Sequence, residues 1–272
     1  MKVSVIVPTY KDLEALKLII EALENQIYKD FELIIAEDDN SNDVEAFVKN
    51  YNGSLAIKHF SQEDKGWRKA RALNGAIKLS SGEYLIFFDG DCLPYSTFVH
   101  AHVELAQKNK VLCGRRVNSG DGISLKLRKK VLNVNQIENN FLSFWKSFKE
   151  DGARHIEQGI YLLKYKFLYK KIIKFLDKRI RLVGCNFSLY RDSILAINGF
   201  DESYPSGDVA DDVDIEWRLN ALGIENKSCR YAANLLHLNH ERKDRREAHQ
   251  RNMNLMKAKQ QRNEYKTKTG LN

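Results

Sequence analysis

Two places in this sequence crowd carboxylates just beyond an apolar run, a third crowds them at a helix start, and a fourth offers two imidazoles. FFDGDCLP sets Asp89 and Asp91 one residue apart after an apolar stretch. In a turn where the chain leaves a sheet, that spacing can aim one oxygen at a hard divalent cation and another at a ribose or sugar hydroxyl. The same Asp-Gly-Asp also suits an ordinary turn. AEDDNSND follows FELII. It fits a helix start capped by Ser41 or Asn42, and Asp38 can also accept the imide N–H of uracil while Asn40 or Ser41 serves the backbone. ADDVDIEWRL crowds Asp211, Asp212 and Asp214 at a helix start. Like charges that close raise one pKa and suit a carboxylate for proton transfer. A solvated acidic first turn is the plainer reading, but Ile215, Trp217 and Leu219 bury part of the helix. HLNH sets His237 and His240 at i and i+3, where both can reach one metal if the segment is helical or a turn. The alternative is a structural pair. Joined to Asp91, the pair makes a mixed carboxylate and imidazole site better suited to manganese or magnesium than to a closed structural zinc.

These groups need a scaffold, and the first hundred residues supply its pattern. VSVIVP, FELIIAED, Leu55–His59 and YLIFFDGD read as strands, alternating with helical stretches at Leu13–Leu23, Asp43–Lys49 and Arg68–Leu79. Continuous apolar strands between helices imply a parallel sheet covered on both faces, whose ligands bind beyond the C-terminal strand ends. Thr9, Tyr10, Asp38, Asp39, Asp89 and Asp91 stand there. From about residue 119 to 181 turn residues thin out and basic residues crowd in, most densely over Tyr161–Arg181. This reads as an inserted helical segment. VADDVDIEWRLNALG is helical with Gly223 as its stop. The chain therefore divides into 1–118, 119–181, 182–241 and a C-terminal helix and tail over 242–272, all in one domain. The tail is expected to fray.

The chain has 272 residues, 43% of them hydrophobic and only 3 Pro, enough to bury a substantial core. Disorder is excluded. Lys and Arg total 44 against 36 Asp and Glu, so the net charge of +8 favours anionic partners. The four scattered cysteines, Cys92, Cys113, Cys185 and Cys229, fit neither a disulfide framework nor a zinc ribbon. MKVSVIVPTYKD does not read as a signal peptide, and every apolar run is interrupted by charge, so the expectation is a cytoplasmic protein.

VSVIVPTY, EDDNSND, KGWRKARALNGAIKLSSGEYLIFFDGDCLP, GCNFSLYRDSILAINGFDE, ADDVDIEWRL and HLNH occur in the order used by family 2 glycosyltransferases of GT-A fold. The resemblance covers roughly residues 2–120 and 182–241. It is closest to the branch whose C-terminal part is like β-1,4-galactosyltransferases and bacterial chondroitin polymerases. It implies an α/β fold, a Rossmann-like mixed nucleotide-binding sheet flanked by helices, with the basic helical segment inserted. It further implies an inverting, metal-dependent transfer from a UDP-sugar, of Gal, GalNAc or Glc type, to a hydroxyl of a polysaccharide or lipopolysaccharide precursor. Pro8, Thr9, Tyr10 and Asp38 resemble the uridine pocket, and Arg68 the arginine that approaches the nucleotide, with Arg71 a near alternative. Asp89 and Asp91 resemble the DxD, with Asp91 the metal ligand alongside His240 and His237. Gly184, Asn186 and Ser188 sit where the family shapes the donor-sugar pocket. Asp212 stands at the catalytic base and Asp211 at the acceptor or sugar contact. Here Asp211 replaces the family's Glu, which leaves the roles of these two neighbours open. The cofactor implied is Mn2+ or Mg2+, and the acceptor a glycan or lipid-linked sugar.

The basic segment Tyr161–Arg181 lies outside the resemblance. It reads either as a solvated helical face or as a contact with an anionic acceptor or the inner membrane leaflet. Two other classes compete with the transferase. A sugar-nucleotide pyrophosphorylase needs a Gly-rich basic loop after the first strand, which VPTYKDLEAL lacks. A nucleic-acid-binding protein accounts for the charge but leaves the carboxylate clusters without a purpose, so no nucleic-acid partner is expected.

Overall fold

Short, nearly continuous apolar runs and apolar stripes at helical spacing alternate through the first ninety residues, and they become strands and helices accordingly. They give β1 (Val3–Thr9), α1 (Leu13–Glu24), β2 (Phe31–Glu37), α2 (Asn42–Lys49), β3 (Ala56–Ser61), α3 (Lys69–Leu79) and β4 (Tyr84–Phe88). Ser41 caps α2, its hydroxyl accepting from the Asp43 and Val44 N–H groups. The computed structural model describes residues 1–176, 180–205, 209, 212–241 and 244–272.

After β4 come β5 (Cys92–Pro94), α4 (Phe98–Leu105), β6 (Lys110–Cys113) and β7 (Val117–Asn118). The basic stretch then folds as α5 (Asp121–Arg128), α6 (Val134–Asn139), α7 (Phe141–Glu150), a 3-10 turn at Ile156–Gly159 and α8 (Lys166–Leu176). The chain closes with β8 (Asn186–Tyr190), α9 (Arg191–Ala196), α10 (Val213–Ala221), β9 (Glu225–Ser228), β10 (Leu235–His237) and α11 (Arg246–Gln261).

Among the described residues one sheet runs in the order β3-β2-β1-β4-β8-β6-β9. It is mixed rather than wholly parallel, because β8 pairs antiparallel with both β4 and β6. Alternate strand residues enter opposite cores: Val3, Val5 and Val7 meet α1 residues such as Leu16 and Ile19, while Ile6 meets α3 residues such as Leu73 and Ile77. Ile123, Leu127, Ile137 and Phe148, from the basic stretch, join the first of these clusters.

A second, three-stranded sheet, β5-β10-β7, was not foreseen. Strands of two or three residues are too short for periodicity to reveal. The expected fraying of the tail is also corrected. Thr269 O accepts from Glu202 N at 2.9 Å, Leu271 N donates to Asn198 O at 3.0 Å, and Thr267 is buried.

Candidate active site

β1 and β2 pair in register to Thr9 and Glu37, so the residues beyond both ends emerge side by side. Asp38 N donates to Thr9 O at 3.1 Å. Pro8 is half-buried, Thr9 is buried and Tyr10 is exposed, its hydroxyl 3.3 Å from Asp64. Both oxygens of Asp38 are engaged within the chain: Gln62 Nε2 donates to one at 2.6 Å and Arg68 N to the other at 2.7 Å. Its neighbour Asp39 differs. Asp39 Oδ2 accepts from Lys11 N at 3.3 Å, while its buried Oδ1 has no hydrogen-bond partner. Burial raises the pKa of both aspartates, helped at Asp39 by the charge of Glu37.

The next turn leaves β4 at Phe88. Cys92 N donates to Asp89 O at 3.1 Å, so Asp89, Gly90 and Asp91 form a tight reversal into β5. Gly90 is required by its neighbour: a Cβ there would lie 2.0 Å from Pro8 O. The start of α3 ties the two acidic turns together, with Arg68 N on Asp38 and Lys69 Nζ 2.7 Å from Asp89 Oδ1. The Arg68 guanidinium turns back to Glu63 O, and its buried Nε lacks a partner. Arg116 Nη1 reaches Asp89 Oδ2 at 2.9 Å and stands 3.8 Å from Asp91 Oδ1. Asp89 is thus held between two cations.

HLNH is not helical. β10 pairs antiparallel with β5, His237 opposite Cys92, and Leu238 N donates to Asp91 O at 2.8 Å. That pairing brings both imidazoles to one carboxylate: His237 Nε2 lies 3.3 Å and His240 Nε2 3.1 Å from Asp91 Oδ2. Burial opposes ionisation of Asp91, but the two histidines and Arg116 outweigh it and hold the carboxyl well below its usual range. Neither ring nitrogen of buried His237 makes a well-formed hydrogen bond. Buried polar atoms normally have partners, so these orphans mark a place for a ligand. One ligand atom from each of Asp91, His237 and His240 lies within 4.8 Å of the others, among the described residues the one such cluster of three or more acid, histidine or cysteine side chains. One carboxylate oxygen and two imidazole nitrogens are a donor set that suits a divalent metal ion.

The acidic cluster at α10 separates. Asp214 is fully buried and accepts from Arg218 Nε at 2.6 Å, Tyr204 OH at 2.7 Å and Trp217 Nε1 at 3.1 Å, which leaves it a structural anchor. Asp212 caps the helix, its Oδ1 2.5 Å from Val213 N, and is partly exposed. Asp211 lies outside the described residues. Gly223, at φ +75°, ends the helix as expected, with Ile224 N reaching back to Leu219 O at 3.1 Å.

Gly184 is half-buried in the approach to β8. Asn186 faces inward, not toward a ligand. Its Nδ2 donates to Arg115 O at 3.0 Å and Ala233 O at 2.9 Å, and its Oδ1 stands 3.1 Å from His102 Nε2. With the amide fixed by two carbonyls, its oxygen must accept, so His102 carries its proton on Nε2. His102 Nδ1 then accepts from Ser188 Oγ at 2.7 Å, and Ser188 accepts from Tyr84 OH at 2.7 Å. This buried chain braces Arg115, next to Arg116, and Ala233, near the start of β10.

Sequence reasoning passed over Asp39's free oxygen, Lys69 and Arg116. Arg116 had a usable signal, since the two arginines in CGRRVN follow an apolar strand end. The strand itself, KVLC, is four residues long and escaped notice.

The sequence model of Glycosyl transferase family 2 matches residues 4–196. The Escherichia coli chondroitin synthase is 30% identical over 117 residues, 42% of this chain and 17% of that protein. Validoxylamine A glucosyltransferase of Streptomyces hygroscopicus subsp. jinggangensis is 33% identical over 100 residues, 36% of this chain and 24% of that one. The matches therefore span a quarter or less of these relatives' lengths. Among solved structures, the Pyrobaculum calidifontis mannosyltransferase PcManGT in complex with GDP-Man and Mn2+ superposes with a TM-score of 0.59 at 17% identity, covering 96% of this chain and 64% of that one. Staphylococcus aureus TarS 1–349 with UDP-GlcNAc gives 0.56 at 18% identity, covering 95% and 66%. The shared fold is GT-A.

Proposed function

The chain belongs to glycosyl transferase family 2, and from that premise we propose that it moves a sugar from a UDP-sugar to a hydroxyl of a glycan or lipid-linked precursor of a surface polysaccharide or lipopolysaccharide, inverting the anomeric carbon. One observation carries this reading. Asp91, His237 and His240 converge beside Asp89, and Arg68 and Lys69 join that turn to the Asp38–Asp39 turn. A base, a ribose and a diphosphate need such a row of contacts.

Asp39, with its unpartnered buried oxygen, accepts the uracil imide, and Asp38 holds the loop that presents it. Asp89, fixed by Lys69 and Arg116, faces the ribose, while the two cations offset the diphosphate charge. Asp91, His240 and His237 would hold Mn2+ or Mg2+, which when bound stabilises negative charge on the departing diphosphate. Asp212 takes the proton of the acceptor hydroxyl, with Asp211 the other candidate for that role or for the acceptor contact. The hydroxyl oxygen bonds to C1 as the bond from C1 to the diphosphate oxygen breaks, so no covalent enzyme intermediate forms. Asn186 acts as a brace for the loop that carries Arg116 and for the entry to the strand that carries His237.

The test is calorimetry of UDP with Mn2+ or with EDTA, followed by hydrolysis of a panel of UDP-sugars and GDP-mannose in Mn2+. UDP binding that needs metal and turnover of one UDP-sugar support the reading. Equal UDP affinity in EDTA removes the metal, and turnover of GDP-mannose alone removes uridine.

A further inference from the structure

Helix α8 is amphipathic in an unusual sense, because its outward sector is not simply polar. The inward sector carries Tyr169, which is buried with its hydroxyl 3.4 Å from Ser228 O, and the half-buried Ile172 and Ile173. The outward sector carries Phe167, 83% exposed, Phe175, 76% exposed, and Leu168, 45% exposed. Phe167, Lys171, Lys174 and Phe175 follow i, i+4, i+7, i+8 spacing, so two aromatic rings and two ammonium groups share one stripe, with Lys170 at its margin. Tyr165, just before the helix, is 55% exposed as well.

Two large aromatic side chains held almost wholly in water on one stripe are costly without a purpose. Their charged neighbours indicate what covers them. α8 contains no acidic residue, and among the described residues Lys170, Lys171 and Lys174 have no carboxylate within ion-pair distance. Lys166 alone is neutralised, by Glu104 at 2.5 Å. A protein partner with an apolar pocket would satisfy the rings, but three lysines set between two outward phenylalanines also match the layering of a lipid surface. Rings reach the acyl boundary there while ammonium groups stay with phosphates. No described helix is long and apolar enough to cross a membrane, so contact would be along its surface.

We propose that the outward face of α8 docks this protein on an anionic bilayer, with Phe167 and Phe175 inserted and Lys170, Lys171 and Lys174 at the headgroups. Tyr169 and Ile173, which the sequence alone offered to the membrane, instead face the protein. The helix packs on the segment from Ser228 to Tyr231 that leads into β10 through Tyr169, and the chain just before the helix is tied to the same segment by Leu162 N donating to Tyr231 O at 2.7 Å. The docking face is therefore linked to the segment that leads into the strand carrying His237. The docking itself does not depend on which sugar is transferred.

The test is co-sedimentation of the full chain with phosphatidylcholine vesicles and with vesicles containing roughly a quarter phosphatidylglycerol. Binding is expected only to the anionic vesicles, and falling at least tenfold when salt is raised to about 0.5 M. Phe167→Ser with Phe175→Ser should cut partitioning about tenfold or more at unchanged charge. The charge reversals Lys49→Glu and Lys78→Glu, on α2 and α3 at the other end of the sheet, should change it little. A Phe167→Trp variant should shift its emission to the blue on anionic vesicles. Failure of the wild type to bind, or wild-type partitioning by the double serine variant, overturns the proposal. So does a wild type that self-associates with concentration while the double variant stays monomeric, which would give the face to a second copy. UDP affinity in the same samples reads the transferase proposal separately.

Discussion

At the residue scale the site depends on who already has a partner. Asp38 and Asp39 are neighbours with the same chemistry, yet only Asp39 keeps a buried oxygen without a hydrogen bond. Asp39→Ala should weaken UDP binding roughly tenfold or more, the size of a lost charge-assisted hydrogen bond, with little change in melting temperature. Asp38→Ala should lower the melting temperature, because Gln62 Nε2 and Arg68 N lose their acceptor. Calorimetry paired with thermal denaturation separates the two. The metal cluster calls for a different measurement. Asp91→Asn should abolish metal-dependent UDP binding, and His240→Ala should raise the Mn2+ concentration for half-maximal turnover. If His240→Ala and His237→Ala both titrate like the wild type, HLNH is structural. For Asp212, replacement by Asn keeps size and loses basicity, so UDP binding should persist while turnover falls roughly 100-fold or more. Near-normal turnover there would hand the role to Asp211.

At the element scale, what positions these groups is strand pairing and the buried chain beneath it. β5 against β10 brings Asp91 to His237, and Asn186 ties the end of β6 to the entry of β10 through two backbone carbonyls. His102 completes the chain as a neutral imidazole, its pKa pushed down to about 3 by burial. An unfolded His102 takes a proton below about pH 6.5, whereas the folded one does not until about pH 3. The unfolded state binds more protons in that window, so this contribution is complete above pH 6.5 and is lost as pH falls. The loss approaches about 1.4 kcal/mol per pH unit. Urea denaturation between pH 7.5 and 5 should show this slope, and His102→Gln, with its non-titrating amide, should flatten it. Glu32, held down to about 2, acts only below its ordinary carboxylate range and does not confuse the measurement.

At the scale of the whole molecule, the helices of the basic stretch are part of the main core. Ile123, Leu127, Ile137 and Phe148 belong to the same buried cluster as Val5, Leu16 and Leu236. The C-terminal segment is equally bound in: Lys259 pairs with buried Asp201, and Asn198 Nδ2 donates to Thr267 O at 2.9 Å. Unfolding should therefore be a single cooperative transition, with tryptophan fluorescence and far-ultraviolet circular dichroism coinciding. A separate early transition would mean that the basic stretch folds on its own.

The sequence by itself determined the early strand and helix order, the acidic turns at strand ends and the grouping of Asp89, Asp91, His237 and His240 as candidates. Those follow from local periodicity and from residue types whose chemistry does not depend on context. It placed Asp38 in the uridine pocket, whereas Asp39 is the one that keeps an unpartnered oxygen, and the residue types alone did not separate Asp214 from Asp212, because both distinctions rest on distant partners such as Gln62, Lys11 and Tyr204. It read HLNH as a helix or turn, whereas β-sheet pairing with β5 is what joins His237 to Asp91, 146 positions earlier in the chain. Nor could a lysine-rich helix show which of its rings face water. Only the packing of Tyr169 and Ile173 against the core left Phe167 and Phe175 outside, because burial is decided by what the rest of the chain brings to each face.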